Sequence, residues 1–375
     1  MSTVIVGKAD LGRIFERLKA AFRVIGPVLE DDVIVLGDLD DLARMPSGRR
    51  DRHGPGIYRL GDAMDSEIFS FSIGPDSFKR FLHPPVREEY TFRKSKKRLQ
   101  IQVVSPSGHE TPTAFFGMRA CDLAALKLLD KVFLEGPVKD GHYERLRRNA
   151  FIVAVQCVRP GNNCFCSSMH TGPDVRDGYD LALTELDGSF FVEIGSARGK
   201  EILDGVPTQP AGPTEEAEKA ATLDRCRELM KKSVNARALP RLIENNLDHP
   251  RWAEIAARCM GCGNCTQVCP TCFCTTGDDH VPLSCLSRKT AERCGSRRRA
   301  WDSCFSVNFA RVHGGNFRPS RRARFRHWMA HKLAYWIHQF GASGCVGCGR
   351  CITWCPVGID LTQELEALSA TRTAP

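Results

Sequence analysis

Cys259-Met-Gly-Cys262-Gly-Asn-Cys265-Thr-Gln-Val-Cys269-Pro-Thr-Cys272-Phe-Cys274 is the stretch on which the reading of this chain turns. Its first four cysteines are spaced C-x2-C-x2-C-x3-C-P, the bacterial ferredoxin run that holds a [4Fe-4S] cube. The run returns as Cys345, Cys348, Cys351 and Cys355, followed by Pro356. Three thiolates on a tight, glycine-containing loop reach three corners of one cube, and the backbone N–H groups between them stay free to point at the sulfurs. The fourth cysteine points away and, in two-cluster proteins, ligates the other cube. The expected sets are therefore Cys259, Cys262, Cys265 and Cys355 for one cluster, and Cys345, Cys348, Cys351 and Cys269 for the other. A zinc ribbon also uses C-x2-C pairs, but it wants two pairs and not a third cysteine at the same interval closed by Cys-Pro.

The chain has 375 residues and 18 cysteines. A disulfide framework belongs to short secreted chains. Here no basic segment leads into an apolar signal core and no apolar run is long enough to span a membrane, so a soluble, cytoplasmic protein is expected. Metal is then the better use of the thiols. Cys226, Cys285 and Cys294 read as solitary, which leaves Cys121, Cys157, Cys164, Cys166, Cys272, Cys274 and Cys304. Cys-Phe-Cys occurs at 164–166 and again at 272–274, and an i, i+2 pair projects both thiols to one side of an extended segment. A third metal site follows, with another [4Fe-4S] cluster as the preferred occupant. Two partitions fit. Cys121, Cys157, Cys164 and Cys166 form it alone, or Cys272, Cys274 or Cys304 reaches across to a mixed set; the first is preferred, because two strand ends deliver thiols to one edge. About 12 iron atoms per chain rather than about 8 are expected.

The formal charge of +9 is local: residues 275–344 carry 13 Lys and Arg against 4 Asp and Glu, and the rest of the chain has 40 of each sign. Such a basic insert can bind nucleic acid, but beside anionic clusters it raises their potential or docks an acidic partner. Exposed Arg321, Arg322 and Arg324 are expected to act there rather than in folding.

Periodicity gives a helix over 11–24, strands over 32–37, 57–60, 68–73 and 99–104, a short helical turn over 77–82 and a charged hairpin edge at 93–98. An apolar strand at 113–119 runs into Cys121, with Asp122 as the N-cap of the helix that follows. A second strand, 151–156, ends in Cys157, and two more follow at 180–186 and 190–194. A cysteine at a strand-to-helix turn suits a site at one edge of an α/β sheet. From 215 onward the pattern is helical, with 322–340 the clearest helix. The fold class is thus α+β: an N-terminal α/β domain over 1–206, a linker and helix over 207–235, and a mainly α-helical, ferredoxin-like dicluster domain over 236–375. No G-x-G-x-x-G or P-loop gives the chain its own nucleotide site, and no catalytic residue is named. His313, His327, His331 and His338 lie in the insert without a zinc-protease pattern, and read as a solvated or hydrogen-bonded face.

Gly117-Met-Arg-Ala-Cys-Asp122, Cys157 with Gly161-Asn-Asn-Cys-Phe-Cys-Ser-Ser-Met-His-Thr-Gly-Pro173, the stretch 258–274, Trp301-Asp-Ser-Cys304 and Cys345–Asp360 together resemble the beta subunits of cytoplasmic [NiFe] hydrogenases (sulfhydrogenases) and the related iron–sulfur subunit of anaerobic sulfite reductase. The likeness spans nearly the whole chain. It departs at Ala120, where proline is common, and at His170, where glycine is expected. The resemblance implies an iron–sulfur electron-transfer protein with a flavin-containing NAD(P)H reductase subunit on one side and, on the other, a catalytic subunit, either a hydrogenase or a sirohaem sulfite reductase. A subunit that itself reduces sulfur or polysulfide is the alternative; neither nucleic acid nor membrane is an expected partner.

Overall fold

The computed structural model describes residues 2–63, 67–94, 98–104, 112–282, 285 and 293–370. An eight-stranded sheet runs in the order Gln209–Pro210, Ser2–Gly7, Ser189–Ile194, Leu181–Glu185, Phe151–Val155, Thr113–Arg119, Arg23–Glu30 and Val33–Asp38. Leu181–Glu185 to Arg23–Glu30 in that order are parallel, and the outer pairings are antiparallel. Phe151–Val155 is buried at every position, as a strand covered on both faces must be. Its residues alternate: Phe151, Val153 and Val155 join the core beneath helix Leu11–Ala21, while Ile152 and Ala154 join the core beneath helix Ala120–Phe133.

Four expectations are corrected here. The first helix ends at Ala21, and Arg23–Glu30 is a strand. The stretch 68–73 is not a strand, because side chains satisfy its backbone instead of a ladder. Ile68 N and Phe69 N donate to the Glu185 carboxylate at 2.7 and 2.9 Å, and Arg119 Nη2 donates to Phe69 O and Phe71 O at 2.6 and 2.8 Å. Asp122 is not a cap, since the helix begins at Ala120 with Arg119 as its N-cap. The region read as a linker contributes the edge strand Gln209–Pro210, and helix Pro213–Glu228 lies against Ser189–Ile194.

The C-terminal region holds helices Leu239–Glu244, Arg251–Arg258, Arg321–Ala330 and Leu361–Ala370 around a core that includes Trp252, Ile255, Phe325, Trp328 and Leu365. Arg321–Ala330 passes through a π-helical turn, His331–Tyr335, into Trp336–Phe340. The mainly α-helical expectation does not hold for the insert. Thr275–His280 and Arg293–Trp301 are strands, joined with Val86–Lys94 and Leu99–Val103 of the N-terminal half in a four-stranded antiparallel sheet. Cross-strand charge accounts for the pairing. Arg297 meets Asp279 at 3.0 Å, Arg298 meets Glu88 at 3.3 Å, and Arg299 bridges Glu89 and Asp140 at 3.1 and 3.0 Å. The charges of these three arginines are therefore met within the protein, two of them by carboxylates of the N-terminal half. Cys285 and Cys294, read as solitary, form a disulfide. Among the described residues no helix is long and apolar enough to cross a membrane.

Candidate metal centres

The first ferredoxin run leaves the end of helix Arg251–Arg258 at Cys259. Cys259, Cys262 and Cys265 line one cavity together with Cys355 from the second run, so thiols about 90 residues apart in sequence face one space. Gly261 N donates to Cys259 Sγ at 3.3 Å and Ile359 N to Cys355 Sγ at 3.3 Å, the backbone-to-sulfur bonds that stabilise thiolate ligands. The rest of the wall is apolar, with Phe305, Phe325 and Trp328. Cys262 is exposed and Met260 beside it is 63% exposed, which sets this site against the surface.

The second run repeats the turn, with Gly347 N donating to Cys345 Sγ at 3.4 Å. Cys269 is brought to it by the residues on either side of the gap. Thr271 Oγ1 donates to Gly344 O at 2.6 Å, and the Lys332 ammonium donates to both Thr271 Oγ1 and Gly344 O at 2.8 and 3.1 Å. The thiols of Cys345, Cys348 and Cys269 all bear electrostatically on Cys351, which burial, with their help, pushes well above the ordinary thiol range.

Cys121, Cys157, Cys164 and Cys166 line a single cavity at the edge of the large sheet. Cys121 and Cys157 follow adjacent parallel strands, Thr113–Arg119 and Phe151–Val155. The loop bearing the other two lies directly on the second ferredoxin run. Phe165 N donates to Gly347 O at 2.8 Å, Thr171 Oγ1 to Val346 O at 2.6 Å, and Asn163 Nδ2 to Thr353 Oγ1 at 2.9 Å. A hairpin, Arg49–Gly54 with Ile57–Asp62, closes the other side, where Tyr58 stacks on Trp354 at 5.1 Å.

Arg119 and Arg350 also line this cavity, 4% and 6% exposed. Arg350 is paired with Asp122 at 2.9 Å, yet its Nε and Nη1, and Nη1 of Arg119, have no hydrogen-bond partner among the described residues. Orphaned buried guanidinium donors around four thiols fit an anionic, sulfur-rich group, whose sulfides and thiolates accept such bonds. Neither arginine stands out in the sequence except by lying beside a cysteine in a motif.

Cys272, Cys274 and Cys304 do not line that cavity; they sit behind Cys269, at the base of the insert's strands. Cys226, read as solitary, is fully buried on helix Pro213–Glu228, and burial raises its pKa, helped by the nearby charges of Cys157 and Cys164. Among the described residues no three His, Cys, Asp or Glu side chains converge tightly enough to hold a single metal ion; the thiols ring spaces instead of closing on a point. Of the histidines, His327 and His331 stack at 5.6 Å, burial holding each at about 4, and His338 meets Glu244 at 2.7 Å.

Residues 258–359 match a 4Fe-4S dicluster domain family. The chain is 33% identical over 360 residues to the Sulfhydrogenase 2 subunit beta of Pyrococcus furiosus, 94% of each chain being covered. No solved structure matches it. With the two ferredoxin runs in place, this likeness across nearly the whole length is decisive: the chain belongs to the family of sulfhydrogenase beta subunits.

Proposed function

We propose that this iron–sulfur subunit is the electron conduit of a hydrogenase-type complex, passing electrons between a hydrogenase catalytic subunit on one side and a flavin-containing NAD(P)H reductase subunit on the other. Each cluster, when bound, accepts and releases a single electron. The observation that carries the reading is contiguity. Cys348 lines the cavity of Cys121, Cys157, Cys164 and Cys166, while Cys351 of the same loop lines the cavity of Cys259, Cys262, Cys265 and Cys355. The second run thus has a wall in common with the site on either side, the arrangement a relay needs.

In this reading the ligands are Cys259, Cys262, Cys265 and Cys355, then Cys345, Cys348, Cys351 and Cys269, then Cys121, Cys157, Cys164 and Cys166. Burial and neighbouring charge support holding over reacting. Desolvation pushes Cys164 and Cys345 up to about 12 and Cys121 and Cys166 well above the ordinary thiol range. Such thiols are poor free nucleophiles, which weighs against sulfur reduction by the chain itself. The test is anaerobic purification of the intact complex with counted iron, followed by reduction with hydrogen and with NAD(P)H. Cluster signals from this subunit should appear with either donor, and Cys164→Ser with Cys166→Ser should lose about four iron atoms. A subunit whose signals stay oxidised with both donors, while the rest of the complex turns over, would refute the conduit.

A further inference from the structure

The first ferredoxin run continues through Cys272-Phe273-Cys274 into strand Thr275–His280, whose Thr275 stands opposite Trp301. The next residue beyond each strand pairs too, as Asp302 N donates to Cys274 O at 2.8 Å. That bond lays Cys274 alongside Asp302-Ser303-Cys304, and Cys304 is 5% exposed. Phe273 turns the other way, packing against Phe133 and Trp336 at 6.3 and 5.8 Å. By alternation along an extended segment, Cys272 and Cys274 then share the opposite side.

Two lysines are buried against these thiols. Lys79 is 3% exposed; its ammonium donates to Cys269 O and Cys272 O, each at 3.0 Å, and lies 3.8 Å over the Trp301 ring. Lys332 is 5% exposed and bonds Thr271 and Gly344. Among the described residues neither forms an ion pair with a carboxylate. The nearest anionic chemistry is thiol: Cys272, Cys269 and Cys274 for Lys79, and Cys269, Cys272 and Cys345 for Lys332. Burying two ammonium groups without a counter-charge is costly. The geometry points to a negative group on the side of Cys272, Cys274 and Cys304.

We propose that Cys272, Cys274 and Cys304 hold a further [4Fe-4S] cluster, separate from the group of Cys121, Cys157, Cys164 and Cys166, with a non-cysteine fourth ligand. Asp302 flanks the three thiols: its N pairs with Cys274 O at 2.8 Å and it stands two residues before Cys304. Its Oδ1 accepts from Ser303 N and Ser306 Oγ at 2.7 and 2.6 Å, which leaves Oδ2 outside those bonds. Asp302 is accordingly assigned as the fourth ligand. The assignment rests on the iron–sulfur reading of the chain given above.

The test uses the full chain, prepared anaerobically in its complex, with iron and acid-labile sulfide counted and clusters resolved by low-temperature magnetic resonance during redox titration. The unmutated subunit should carry about 16 iron atoms. Cys274→Ser with Cys304→Ser should remove about four, and Cys164→Ser with Cys166→Ser a different four. Asp302→Cys should keep the full count but shift the midpoint potential of one cluster and leave the others unchanged, because the ligands and charge around a cube set its potential. An unmutated subunit with about 12 iron atoms overturns the fourth site even if the double variant fails to fold. So does a Cys274/Cys304 variant that keeps all its iron. In either case, iron lost from the Cys164/Cys166 variant leaves the three-site conduit standing.

Discussion

At the scale of single residues, Cys355 carries the sharpest expectation. It closes the second run in sequence but faces the cavity of the first. Cys355→Ser should therefore alter the magnetic signature of the cluster at Cys259, Cys262 and Cys265, with that at Cys345, Cys348 and Cys351 unchanged; the reverse pattern would refute the crossing. Asp122 is the counter-charge of buried Arg350. Asp122→Asn strands a guanidinium already short of partners, a loss of about 3–5 kcal/mol by analogy with broken buried pairs, visible as a lower melting temperature. His83 lies between the rings of Phe133 and Trp301 at 4.9 and 6.0 Å, and burial lowers its pKa to about 3. A base whose folded pKa is depressed stabilises the fold above its unfolded pKa, near 6.5, and that contribution fades as pH falls toward 3. Each pH unit in that window costs about 1.4 kcal/mol. Denaturation midpoints measured between pH 7 and 5 should fall less steeply in His83→Gln than in the unmutated chain. His170, where the family resemblance leads one to expect glycine, adopts φ 58°, a conformation that glycine takes more easily.

Between elements, the decisive contact is loop on loop. A Cβ at Gly347, where φ is 65°, would sit 2.7 Å from Cys166 N and Cα. Gly347→Ala thus meets backbone that cannot step aside and a φ that alanine resists. It should separate the 163–166 loop from the 345–351 loop, which limited proteolysis and loss of iron from the Cys121/Cys157/Cys164/Cys166 site would register. Stable iron content and unchanged protease resistance would show that the two loops are not so tightly joined. The glycines of both runs were legible as turn residues. That Gly347 is also a docking point was not, because nothing in its own segment names the partner loop more than 180 residues earlier.

For the whole molecule, the basic insert divides in two. Arg297, Arg298 and Arg299 are paired with carboxylates, and Arg324 is 6% exposed, donating to Arg318 O and Pro319 O at 3.2 and 2.6 Å. It is structural, against the sequence expectation that grouped it with exposed charges. Arg321 and Arg322 are exposed, and Arg321 Nη1 donates to Cys259 O at 2.7 Å, beside the site nearest the surface. Arg321→Gln with Arg322→Gln should leave melting temperature and iron content nearly unchanged, since exposed charges contribute under about 1 kcal/mol a pair. Assembly with the partner subunits should weaken, and the difference from the unmutated chain should shrink at high salt. Loss of iron with undiminished assembly would place these residues in the fold instead.

The sequence by itself determined the two ferredoxin runs, because cube ligation imposes a local spacing that few other sites share, and it determined the buried parallel strands ending in Cys121 and Cys157, because a doubly covered strand must be apolar throughout. Tertiary structure alone decided that Cys226 is buried beside Cys157, and that Lys79, Arg119, Lys332 and Arg350 surround the thiols. It also decided that the insert forms strands, since their pairing is made by arginines and carboxylates on separate segments. The physical reason is common to all of these. Periodicity and spacing record what a segment needs from its immediate neighbours, whereas charge compensation in a buried site is satisfied by whichever residues the fold brings near, at any distance along the chain.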